Sequence, residues 1–170
     1  MKLASLKSTQ NRDGELCIVN KQLTKAVKVN QIAKSLQEAL EHWKDVEEQL
    51  QEIYFALNKS EIAQSFPFDP RDMASPLPRS YQWADGSAYV NHVELVRKAR
   101  GVELPANFWT DPLMYQGGSD AFLGPYEPIE VADEAYGVDF EAEVAVITDD
   151  VSMGTNSENA KNHIRLLKEL

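Results

Sequence analysis

The 170-residue chain has a net charge of −10, with 27 acidic against 17 basic side chains, and 43% of its residues are hydrophobic. That composition supports a packed core and is unlike that of a disordered chain. It lacks the basic surplus of a nucleic-acid-binding surface, disfavours an anionic membrane surface, and contains no run near the ~20 apolar residues of a membrane span.

Lys2 to Lys7 alternates polar and apolar residues, which predicts a strand. Asn11-Arg12-Asp13-Gly14 supplies a turn, since Asp-Gly favours positive φ angles. Glu15 to Asn20 and Lys25 to Val29 are the next two strands of a small antiparallel sheet. The amino-terminal residues include no apolar stretch of signal-peptide length. Cys17 is the single cysteine and has no internal disulfide partner. Both features predict a reducing, cytoplasmic setting. Cys17 lies in the apolar run Leu16 to Val19, so a buried inert thiol is expected.

Residues 31–58 predict a helix, or two joined helices. Ile32, Leu36, Leu40, Trp43, Val46, Leu50, Ile53 and Leu57 recur in steps of three and four, on one face. Packing on the sheet is favoured over a heptad dimer, because one short amphipathic segment is ordinary globular structure. His42 falls off the apolar seam and is expected to face solvent. Pro67, Pro70, Pro76 and Pro78 then interrupt both helix and strand. The predicted organisation is an N-terminal domain over 1–62, a proline-rich linker over 63–78 and a further domain over 79–170. In that last part Ser87 to Ala99 predicts a helix, a Pro- and Gly-rich stretch predicts loops, Val138 to Thr148 predicts a strand, and Asn156 to Leu170 predicts a helix. The fold class expected is α+β.

Glu141 and Glu143 flank Ala142 in the predicted strand. Residues two apart on a strand share a face, with Cα atoms about 6.5 Å apart. The opposite face, Phe140, Ala142, Val144 and Val146, is expected to be the core face. Two like charges on a half-buried face repel, and a divalent cation with oxygen ligands relieves the repulsion. Spacing alone is weak evidence, since in an acidic protein such a pair is more often a solvated edge. His92 is a candidate general base, a role suited to histidine as a residue type, although a lone histidine is more often structural. Asp85 could be a third metal ligand, its default alternative being an Asx-turn at Asp85-Gly86. Tyr115, in the loop Asp111 to Gly118, offers a ring and a hydroxyl as a substrate wall or, equally, a buried loop tyrosine. There is no phosphate-binding glycine fingerprint, no zinc spacing and no nucleophile elbow.

Taken together, Asp85 to His92 (Asp-x6-His), Pro112 to Gly117 (Pro-x-x-Tyr-x-Gly) and Glu141-Ala142-Glu143 resemble the fumarylacetoacetate hydrolase family. The stretches Leu77 to Ser87 and Trp109 to Gly124 also resemble bacterial members, and the resemblance extends over essentially the whole chain. It implies a small N-terminal domain followed by a mostly-β, roll-like catalytic domain, in a homodimer. It implies a metal-dependent hydrolase that cleaves a C–C bond in a β-diketo acid such as fumarylacetoacetate, in aromatic amino-acid catabolism. Asp85, Glu141 and Glu143 resemble ligands of Mg2+ or Ca2+, His92 the base that activates water, and Tyr115 a substrate contact. Two positions depart from the pattern. Ser87 stands where animal members carry a tyrosine. Gly101 stands where an arginine would hold the substrate carboxylate, which leaves Arg100 or Arg97 for that role. The resemblance further implies that such catalytic domains run on past Leu170, supplying another aspartate and a lysine. The alternatives are therefore a non-catalytic fragment of such an enzyme, or a relative that hydrates, isomerises or decarboxylates a keto acid.

Overall fold

A computed structural model describes residues 1–111 and 113–169, with the backbone alone at 168 and 169. Strands β1 (Lys2–Leu6) and β2 (Glu15–Val19) pair antiparallel, with Leu6 opposite Glu15. The chain turns between them at the expected Asp-Gly step. Asn11 Oδ1 accepts from the Asp13 amide at 3.0 Å, and the Gly14 amide donates to the Asn11 carbonyl at 3.0 Å. Gly14 has φ +72°, and a Cβ there would meet the Leu6 carbonyl oxygen at 2.9 Å. Both the angle and the crowding require glycine. Strand β3 (Lys25–Lys28) pairs antiparallel with β2. Their turn is organised by buried Asn20, whose Oδ1 accepts from the Thr24 and Lys25 amides at 2.8 and 3.0 Å.

Helices α1 (Leu36–Glu41) and α2 (Trp43–Asn58) take up the amphipathic run, joined at exposed His42. Ser35 caps α1, its Oγ accepting from the Glu38 amide at 3.2 Å. The Glu38 carboxylate reaches back to the Lys34 amide at 2.6 Å. This is the reciprocal use of Ser and Glu that satisfies donors at a helix start. The buried side chains Leu36, Ala39, Trp43, Val46, Leu50 and Leu57 pack on Leu16, Ile18 and Val27 of the sheet. Sheet packing, not a helix dimer seam, thus accounts for the apolar stripe. The end of α2 closes with Ser60 at φ +61°, the Glu61 amide bonding the Ala56 carbonyl and the Ser60 amide the Leu57 carbonyl. That arrangement ordinarily uses glycine at the left-handed residue.

Strand β4 (Phe66–Pro67) pairs with β3 and completes a sheet of order β1-β2-β3-β4. Its proline sits on an edge strand, where a missing amide costs no ladder bond. The proline-rich segment is packed beyond β4 as well. Met73 and Ser75 are buried, and the Ser5 hydroxyl donates to the Pro76 carbonyl at 2.6 Å. Two compact units result. One contains Met1–Pro78 together with the chain from Phe122 onward, and the other is Arg79–Ala121. Strand β4 and Met73 tie the proline-rich segment to the N-terminal sheet.

The second unit contains strands β5 (Ala84–Gly86) and β6 (Met114–Gln116) and helix α3 (Val90–Ala99). In the first unit, strand β7 (Val144–Thr148) is followed by the single-turn helix α4 (Ser157–Ala160) and strand β8 (Ile164–Glu169), which pairs antiparallel with β7. Three expectations are corrected here. The predicted C-terminal helix is confined to α4, which Asn156 caps through its side chain, and a 3-10 turn over Lys161–His163, after which the chain extends into β8 (Leu170 lies outside the described residues). Pairing with β7 puts Leu166 opposite Ile147, and both pack against the N-terminal core. That non-local burial outweighs local helix preference. The strand expected from Val138 begins only at Val144, so Glu141 and Glu143 precede it. The face assignment is also inverted. Ala145 and Ile147 point inward, while Val144 and Val146 are exposed and Phe140 is 84% exposed. Among the described residues, no helix is long and apolar enough to cross a membrane. Cys17 is buried, and desolvation pushes its thiol up to about 11.

Two variants test this core. Leu50→Ala should lower unfolding free energy by about 2–5 kcal/mol, as truncation of a fully enclosed leucine does. Urea denaturation followed by Cys17 labelling measures it, and a loss below about 1 kcal/mol contradicts the packing described. Ser60→Gly should raise stability by up to about 1 kcal/mol by relieving the left-handed backbone, and a lower midpoint would contradict that geometry.

Candidate functional site

In the second unit, β5 and β6 form a two-stranded ribbon. Ala84 faces Gln116, Asp85 faces Tyr115 and Gly86 faces Met114. The ladder continues past both ends, through the Gly117 amide to the Trp83 carbonyl and the Ser87 amide to the Leu113 carbonyl, each at 2.9 Å. Asp85-Gly86 is therefore strand and not an Asx-turn, since the amide that such a turn needs is committed to Leu113. Residues two apart on a strand share a face, and so do residues directly opposite. Trp83, Asp85 and Tyr115 accordingly lie on one side of the ribbon. The Trp83 and Tyr115 rings meet edge to face, with centroids 6.1 Å apart and planes at 71°.

Gly117 makes room for the indole. A Cβ at 117 would stand 1.7 Å from Trp83 Cε2. The Trp83 Nε1–H donates to the Gly118 carbonyl at 2.9 Å, which ties the ring to the glycine pair. Gln82 Nε2 also donates to Gln116 Oε1 at 3.0 Å. The glycine of the Pro-x-x-Tyr-x-Gly motif thus has a local cause: its missing side chain is the space that Trp83 fills. Pro112 of that motif lies outside the described residues. Trp83 is the residue that sequence reasoning missed. The available signal was its place two residues before Asp85, which puts both on one face of any strand there.

His92 is exposed in the first turn of α3, where Val93 is the buried anchor. At the other end the Gly101 amide bonds the Lys98 carbonyl and the Val102 amide the Arg97 carbonyl, at 3.1 and 3.0 Å. Gly101 has φ +67°. It is the left-handed residue of a helix-terminating motif, so a side chain at this position is strained by the backbone itself. Arg97 donates through Nη1 to the Glu103 carbonyl at 3.0 Å. Arg100, the C-cap residue, is exposed.

Glu141 and Glu143 belong to the first compact unit and are both exposed, in irregular chain before β7. Asp85 is half-buried in the second unit. In type, the three carboxylates suit a hard divalent cation, which takes oxygen ligands. In position, the described residues include no group of three or more His, Cys, Asp or Glu side chains placed to hold a metal ion. The structure therefore brings together Asp85 and Tyr115 among the expected site residues.

Comparison with known families gives two matches that follow each other along the chain. The model described as "Fumarylacetoacetase N-terminal domain 2" matches residues 1–79. The model described as "Fumarylacetoacetate (FAA) hydrolase C-terminal" matches residues 82–167. The second match holds Asp85, His92, Arg100, Tyr115, Glu141 and Glu143. No curated protein matches the chain.

The Trp83–Gly117 fit is open to test. Gly117→Ala should displace the indole from the Gly118 carbonyl and alter tryptophan emission, while the far-ultraviolet circular dichroism of the N-terminal sheet and α2 stays as in the parent. An unchanged emission spectrum contradicts the contact.

Proposed function

Because the chain belongs to the fumarylacetoacetate hydrolase family, we propose that it acts on a β-diketo acid such as fumarylacetoacetate, hydrolysing a C–C bond with the help of Mg2+ or Ca2+. Its second family match would then be the first part of a mostly-β, roll-like catalytic domain, working in the cytoplasm as a homodimer. The family resemblance assigns the cation to Asp85, Glu141 and Glu143, whose carboxylates suit a hard ion in type. When bound, such an ion supplies Lewis-acid polarisation of the substrate oxygens. The other contributions come from the chain's own groups. His92, exposed on α3, would take a proton from the attacking water through a ring nitrogen. Tyr115 would line the substrate with its ring and hydroxyl, and Arg100 would attract the substrate carboxylate.

What carries this reading is the direct pairing of Asp85 with Tyr115 within the segment that the hydrolase model matches. A ligand-type carboxylate and a substrate-type tyrosine are thereby held on one face of the ribbon, beside an indole in edge contact with the ring. His92→Ala should abolish hydrolysis of a β-diketo acid while leaving Mg2+ affinity close to the parent's. Turnover at the parent rate excludes His92 as the base.

A second reading has one observation in its favour. Gly101 occupies the place of the substrate-holding arginine, and its positive φ shows that the local backbone is built for glycine. A differently anchored keto acid would suit that change, and its hydration, isomerisation or decarboxylation is the second reading. Product identification across a panel of keto acids separates it from C–C hydrolysis.

A further inference from the structure

Trp83 faces Gly117 directly across the ribbon, since Ala84 pairs with Gln116 and the Gly117 amide donates to the Trp83 carbonyl. An aromatic ring laid over a cross-strand glycine is a recurrent way of restoring the packing that glycine lacks. Tyr115 is then the diagonal neighbour of Trp83 on the same face, a separation that aromatic side chains span. The edge-to-face contact at 6.1 Å is the result. The indole is located independently of that contact. Its Nε1–H is bonded to the Gly118 carbonyl, and the ring fills the space where a Cβ of residue 117 would stand. A tryptophan side chain has two rotatable bonds, so an anchor at the backbone and another at Nε1 define where this half-buried ring lies.

Tyr115 is more open, with 56% of its surface exposed. A contact made by such a side chain is weakened by the rotamer freedom that the side chain loses on binding. A wall that already restricts the ring removes part of that loss before a ligand arrives. The indole can be such a wall. It has a single polar group, a donor, and that donor is engaged by the Gly118 carbonyl. What it presents to Tyr115 is ring surface, on the face where Asp85 stands directly opposite the tyrosine. We propose that Trp83 is a positioning residue: seated over Gly117 and tied to Gly118, its indole orients the Tyr115 ring for contact with substrate. The inference rests on the reading above that Tyr115 contacts the substrate. A double-mutant cycle separates the two.

The test uses the whole chain, with fumarylacetoacetate as substrate. Trp83→Leu should raise KM about fivefold, the size that an edge-to-face ring pair and the ordering of one side chain allow, with kcat within about twofold of the parent's. The ring-proton resonances of Tyr115 should move in the same variant, because the ring current of the neighbouring indole is lost. Trp83→Phe, which keeps a ring but not the Nε1 donor, should recover part of the KM change. Tyr115→Ala should raise KM by itself, and adding Trp83→Leu to it should change KM no further, since the indole then has no ring to orient. Should Trp83→Leu lose the fold of the second unit, Trp83→Phe carries the same cycle. Parent-like KM or unmoved Tyr115 resonances in Trp83→Leu, or an undiminished effect of Trp83→Leu in the Tyr115→Ala background, overturns the positioning role. Parent-like KM in Tyr115→Ala, or no turnover by the parent chain, overturns the substrate reading of Tyr115 and this inference with it.

Discussion

The first compact unit depends on one seam, the apolar face of α1 and α2 against Leu16, Ile18 and Val27 of the sheet. Burying such side chains contributes roughly 1.5–3 kcal/mol each, so this face supplies the driving force that its short strands cannot. The seam also reaches further than its own elements. Ile147 and Leu166 pack against the same core from the β7–β8 ribbon. By claiming those two residues it decides which side of β7 is inside. Val144 and Val146 are left outside as a consequence, the reverse of what their hydrophobicity suggests.

That dependence explains what could be read from the sequence and what could not. The hairpin turn at Asp13-Gly14, the three N-terminal strands and the amphipathic run over 31–58 follow from signals contained within a few residues. The even spacing of Leu36, Trp43, Leu50 and Leu57 is sufficient for a helix face, though not for the break at His42, which no proline or glycine marks. The C-terminal strand follows a different logic. Ile164, Leu166 and Leu167 satisfy a helix pattern as readily as an extended one, and the choice is made by Ile147, many residues upstream. Periodicity within a short apolar run cannot decide between the two.

The candidate site divides along the same line. Asp85, His92 and Tyr115 were singled out by spacing, and the β5–β6 register supplies a physical reason for part of that spacing. Asp85 and Tyr115 are thirty residues apart yet directly opposed, and Gly117 is glycine because Trp83 occupies its side-chain space. Motif residues that look like separate letters are thus one piece of packing. Glu141 and Glu143 were legible as a pair and misjudged as strand residues, because the valines beyond them carried the pattern forward past the true strand start.

Gly101 shows how a departure from a family pattern can be structural and chemical at once. The left-handed residue that ends α3 stops the helix with its own amide and that of Val102 bonded back to the last turn. An arginine at that position would have to adopt a conformation that L-residues pay roughly 1–2 kcal/mol to reach. The helix end and a carboxylate-holding side chain therefore compete for one position, and here the helix end prevails. Arg97 is committed to the Glu103 carbonyl, and under the proposed function the exposed guanidinium of Arg100, one residue earlier, would take the carboxylate-holding role. Moving the charge by one residue at a helix terminus rotates it about the helix axis, so it meets a substrate from a different direction. Under the proposed function, substrate choice would thereby be coupled to how α3 ends.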